Sequence, residues 1–152
     1  MASCRNMRRA QCALDENKLS QTGRLTLQEL RGLGATKIFV EYNGGGDEGF
    51  AELDGVQTAN AYLSISRLSE KLQDGPLGET PQPVANPRYH SHIPVQRTRR
   101  EWANFRLERL ADELATQLLG RGYGTGEYSL DGRFVADLEV NTLTDIAPSE
   151  NS

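Results

Sequence analysis

The sequence predicts an α+β fold: an antiparallel sheet of about four strands, built from two β-hairpins and packed on one face by two to three helices. Three observations carry this expectation. A β-branched and aromatic run, Thr36 to Tyr42, leads into glycines and then into an alternating return run. Asp131-Gly132 stands between two further strand-like runs. Two segments, 56–73 and 98–119, place apolar residues at helical spacing.

Taken in order, residues 5–19 have weak helical character. Thr26-Leu27-Gln28-Glu29 has the form of a capping box and predicts a helix from Leu27 to Leu33, ended by Gly34. Thr36–Tyr42 reads as a strand with Ile38, Val40 and Tyr42 on one side and Lys37, Phe39 and Glu41 on the other. Phe50–Leu53 is the shorter return strand. In 56–73, Ala61, Ile65, Leu68 and Leu72, with Tyr62 beside them, predict an amphipathic helix. Five of the six prolines follow, between Asp74 and Pro94, so 74–97 is expected to be a long loop.

Thr98-Arg99-Arg100-Glu101 is a second capping box and opens the longest helix, to Leu119, with Gly120 beyond it. Its apolar stripe is Ala103, Leu107, Leu110, Leu114 and Leu118, flanked by Trp102 and Ala111. Glu127–Leu130 and Arg133–Val140 then form the second hairpin around Asp131-Gly132, a pair suited to a type I′ turn. Phe134, Ala136, Leu138 and Val140 would face the core. Residues 147–152 read as a frayed tail.

The 152 residues suit one domain, and the net charge of −4 disfavours a protein that binds nucleic acid with its whole surface. A local basic face remains compatible with that balance. No apolar run reaches the length of a bilayer span, and the N-terminal segment lacks the apolar stretch of a secretory signal. Cys4 and Cys12 would close only a short loop, so free thiols and a cytoplasmic location are expected.

Gly44, Gly46 and Gly49 spell G-x-G-x-x-G, but the run after them alternates like a strand, and Asp47 and Glu48 would repel a phosphate. They are read as a hairpin turn. Glu41, Asp47, Glu48 and Glu52 are oxygen donors, yet their spacing matches no EF-hand loop. His90 and His92 would share one side of a strand and give a weak candidate for a metal-dependent hydrolase, with further ligands needed. No nucleophile stands in a G-x-S-x-G setting. No catalytic residue and no cofactor are assigned.

Two charged regions remain. Arg97, Arg99, Arg100 and Arg106, with Trp102, form a candidate nucleic-acid or anion site, since arginine forks grip phosphates and aromatics stack on bases. Alternatively these arginines offset the chain's own acidic hairpins. Glu41, Asp47, Glu48, Glu52, Asp137 and Glu139 form a candidate acidic face for a basic protein partner.

"TKIFVEYNGGGDEGFAEL" and "GEYSLDGRFVADLEVNTL" together resemble a small family of bacterial, plasmid and phage proteins, a domain of unknown function with a strand–GxGDxG–strand block and a C-terminal helix–hairpin block. The resemblance implies a small accessory protein and transfers no catalytic residue. The resulting expectation is a non-catalytic interaction protein. It would bind a macromolecular partner, a protein or ribonucleoprotein complex, through charged faces, as an inhibitor or regulator of a host defence complex would. A nucleic-acid-binding accessory protein is the alternative.

Overall fold

The structure, a computed structural model, describes residues 11–45, 48–73, 99–120 and 130–146. Strand β1 (Gln11–Ala13) and a 3-10 turn (Glu16–Lys18) precede helix α1 (Gln21–Gly32). Strands β2 (Ala35–Gly45), β3 (Glu48–Thr58) and β4 (Tyr62–Ser64) follow, then helix α2 (Ile65–Gln73). Helix α3 (Arg99–Leu119) and strands β5 (Leu130–Asp137) and β6 (Thr142–Ile146) complete the fold. The sheet is antiparallel throughout, in the order β1-β6-β5-β2-β3-β4. The α+β class is as expected, but the described residues form six strands rather than about four.

The β2–β3 hairpin is the spine of the sheet. Gly44 pairs with Gly49 and Gly45 with Glu48, so a strand, not a helix, follows the glycine-rich stretch. Ile38, Val40 and Tyr42 are buried under the helices, as the alternation predicts. A β-bulge interrupts the register between Phe39 and Val40, leaving Asp54 as the extra residue of β3.

Four expectations are corrected. First, 11–13 is an edge strand on β6 rather than part of a helix; residues 5–10 lie outside the described set. Second, α1 begins at Ser20, not Thr26. The Ser20 hydroxyl accepts from the Gly23 amide at 3.1 Å, and the Ser20 amide donates to Glu113 Oε1 at 2.9 Å. In a local capping box the third helical residue would supply that carboxylate. Here that residue is Gly23, and Glu113 from α3 occupies the space of its missing Cβ. Thr26 is buried in mid-helix, its hydroxyl turned back to the Thr22 carbonyl at 2.7 Å.

Third, the helix expected over 56–73 starts only at Ile65, because β3 runs on to Thr58 and Tyr62–Ser64 pairs with Gly55–Gln57. Leu68 and Leu72 are buried, whereas Tyr62 and Ile65 are exposed. Fourth, Asp131-Gly132 is not a turn. β5 passes straight through it, with Gly132 opposite Tyr42 and Asp131 opposite Asn43. The turn lies at 138–141, where Asp137 Oδ1 accepts from the amides of Glu139 (2.9 Å) and Val140 (3.3 Å) and Asn141 adopts φ 58°. Val140, expected inside, is exposed.

The helix stops are as expected: Gly34 (φ 94°) follows α1 and Gly120 (φ 99°) follows α3. On α3, Ala103, Leu107, Leu110, Ala111 and Leu114 are buried and Leu118 is partly so. All three helices share one core with Ile38, Val40, Val56, Phe134 and Leu143, which places them on the same face of the sheet. Arg31 at the end of α1 holds the β5–β6 turn, donating to the Leu138 carbonyl and Asn141 Oδ1, each at 2.9 Å.

Candidate functional site

Antiparallel register places rows of side chains across the face opposite the helices. One row runs Glu52, Glu41, Arg133, Ile146 from β3 to β6. The next runs from Gly55 through Phe39 and Val135 to Thr144. A third sets Gln57, Lys37, Asp137 and Thr142 in line. Among the described residues no helix or strand lies over this face. Tyr62 reaches in from β4, its ring above Gly55 and 6.1 Å from that of Phe39. Any side chain at 55 would strike that ring, so the glycine makes the aromatic pair possible. Tyr62 is 51% exposed and Phe50, further along β3, is 56% exposed.

Charge concentrates at the β3 side of this face. Glu41 and Glu52 stand directly opposite each other, a like-charge pair that costs stability. The bulge adds Asp54 to them. Its carboxyl is pushed above the usual aspartate range by burial first, then by Glu41 and Glu52, with Arg133 opposing. Burial and Asp54 also raise the Tyr62 phenol, again opposed by Arg133.

The covered face carries the mirror of this arrangement. Tyr42 lies over Gly132, where a Cβ would collide with its phenol oxygen, and donates to Asp145 Oδ1 of β6 at 2.8 Å. Its phenol is raised far above the ordinary value by burial first, then by the hydrogen bond and charge of Asp145. The consequence is structural: the ring is held neutral and packs 6.2 Å from Phe134.

The expected basic site is dispersed. Arg99 donates to the Gln73 carbonyl at 2.6 Å. Arg106 is wholly buried: Nη2 meets Glu29 Oε2 at 2.6 Å and Nε meets Thr26 Oγ1 at 3.2 Å, while Nη1 has no partner among the described residues. It thus ties α3 to α1 and faces neither solvent nor the acidic hairpins. Trp102 stacks on Phe105 at 5.7 Å. Arg100 remains exposed at the end of a cleft bordered by β3. Arg97, His90, His92 and Asp47, the Glu48 side chain, Cys4 and the segment 74–97 expected to be a loop lie outside the described residues.

The expected acidic face divides in two. Glu41 and Glu52 lie together; Asp137 caps the turn opposite Lys37, and Glu139 is exposed in that turn, six residues beyond Arg133. The residues missed are Asp54, Phe39 and Tyr62. Alternation already put Phe39 beside Lys37 and Glu41, but the bulge that presents Asp54 left no local signal. Cys12 is a free thiol, as expected, and half-buried; it donates to the Gln117 carbonyl at 3.7 Å, and burial raises it.

Among the described residues no group of three or more His, Cys, Asp or Glu side chains is arranged to hold a metal ion, and no helix is long and apolar enough to cross a membrane. No family model, no curated protein and no solved structure matches the chain.

Proposed function

We propose that this protein is a non-catalytic binding module that docks a macromolecular partner on the uncovered face of its sheet. The observation that carries the reading is the half-exposed Tyr62–Phe39 pair set against Glu41, Glu52 and Asp54. Aromatic anchors bounded by charge are where binding energy concentrates at protein interfaces. The excess of carboxylate there favours a partner with a basic surface and speeds its approach. The alternative, nucleic-acid binding through 97–109, has less support, since Arg106 is spent inside the core and Arg99 on a backbone carbonyl.

The test is capture by the immobilised chain from a bacterial lysate at moderate salt, with thermal melts to verify folding. A partner held by the wild type should be lost with Tyr62→Ala and with Glu41→Lys, and kept with Glu139→Lys at the far end of the sheet. Equal capture by all the variants defeats the proposal.

A further inference from the structure

β3 has an unfinished edge among the described residues. β4 pairs only with Gly55, Val56 and Gln57. From Phe50 to Asp54 the strand has β2 on its inner side and, among the described residues, no strand on its outer side. Backbone amides and carbonyls on such an edge are a template for another strand. The edge is not bare, however. Arg100, Asn104 and Glu108 recur every four residues of α3 and so form one stripe of the helix. They wall a slot beside the edge, made of two adjoining clefts of about 390 and 430 Å³ that share Glu52 and Glu108. The strand segment spans about 17 Å at the usual rise, and the helix stripe about 12 Å. The slot therefore suits an extended segment of about five residues.

Its chemistry selects the occupant. Glu41, Glu52, Asp54 and Glu108 border the slot, with Arg100 at one end. The same carboxylates, together with the bulge at Asp54, disfavour pairing with a second copy, because two such edges would set acid against acid. A strand bearing lysine or arginine meets the opposite situation. Ser69, buried on α2, donates its hydroxyl to Asn104 Oδ1 and so fixes the Asn104 amide in the wall.

We propose that the outer edge of β3 accepts an extended basic peptide as an added antiparallel or parallel strand, clamped between the edge and the Arg100–Asn104–Glu108 stripe. This rests on the reading of the acidic side as a binding surface and names the form its partner takes. Main-chain hydrogen bonds supply affinity, and alternate side chains reach Glu108 on one side and Glu41 and Glu52 on the other.

The probe is a capped ten-residue peptide alternating lysine and valine, titrated by fluorescence anisotropy against the full chain, with amide exchange read at residues 50–54. We expect saturable, salt-sensitive binding and slower exchange of those amides. Methylating alternate peptide nitrogens, which removes two or three hydrogen bonds and keeps the charge, should weaken binding about tenfold or more. Glu108→Lys and, independently, Glu52→Lys should each do the same without lowering the melt. The inference is overturned by no saturable binding, by equal affinity of the methylated peptide, by equal affinity of a glutamate–valine peptide, or by self-association that protects the same amides. If the peptide fails while Tyr62-dependent capture persists, the edge is wrong and the sheet-face reading stands. If capture fails too, both fall.

Discussion

Two tyrosines lie across glycines of a neighbouring strand on opposite faces of one sheet, and their fates differ. Tyr42 over Gly132 is sealed by helices, 4% exposed, and bonded to Asp145. Tyr62 over Gly55 faces outward beside Phe39 with half its surface accessible. One cross-strand device thus serves two ends. Where helices exclude water, the ring contributes to the core and its hydroxyl must find a partner. Where they do not, a similar ring becomes a fixed, pre-oriented contact surface. The two arginines repeat the contrast: Arg106 is buried against Glu29, and Arg133 is exposed among carboxylates.

The arginines give the widest gap. Arg106→Met leaves Glu29 nearly buried and unpaired, and should cost about 3–5 kcal/mol in denaturant unfolding. Replacing Glu29 by Met as well should recover most of that loss. Arg133→Met should stay within about 0.5 kcal/mol. The glycines come next. Gly132→Ala must displace a buried ring and should cost about 1–3 kcal/mol. Gly55→Ala should cost less: its Cβ would strike the Tyr62 ring, which can swing into water, and the Leu63 carbonyl, which can shift because β4 is only three residues long. Equal costs would mean that the open face is as tightly packed as the covered one.

Tyr42→Phe should lose about 0.5–1.5 kcal/mol at neutral pH, the worth of one hydrogen bond. Because folding raises the Tyr42 phenol, only the unfolded chain ionises it above about pH 10. Wild-type stability should therefore fall as pH rises through that range, and the variant should fall less. Tyr62→Ala should move the melt little and abolish partner capture. The smallest effects are gains. Glu41→Gln should stabilise by about 0.2–1 kcal/mol by relieving Glu52. Asp54→Asn should raise the melting point at neutral pH. Folding raises the Asp54 carboxyl, so the charged form is the costly one, and this gain should vanish as pH falls towards the ordinary aspartate value.

Much of the site lay in plain view. Alternation in Lys37–Phe39–Glu41 put these three on one side of β2, and the sign of the local charge followed from composition. The Tyr62 region was hidden by periodicity. Ala61, Ile65, Leu68 and Leu72 fit a helix, but pairing of Tyr62–Ser64 with β3 outweighed that local preference. Asp131-Gly132 misled for a related reason: a glycine can be required for left-handed backbone or for space, and the dipeptide looks the same in both cases.

The sequence by itself determined what depends on neighbours along the chain: the faces of β2, the β2–β3 hairpin, the apolar stripe of α3 and the glycine stops after α1 and α3. Period and turn chemistry are local, so they can be read locally. Tertiary structure alone decided where a distant group settles a local choice. Glu113 caps α1 from 93 residues away, Arg106 reaches Thr26 across 80, and Asp145 meets Tyr42 across 103. In each case, a polar group leaving water must be matched by a partner, and only the folded packing supplies one.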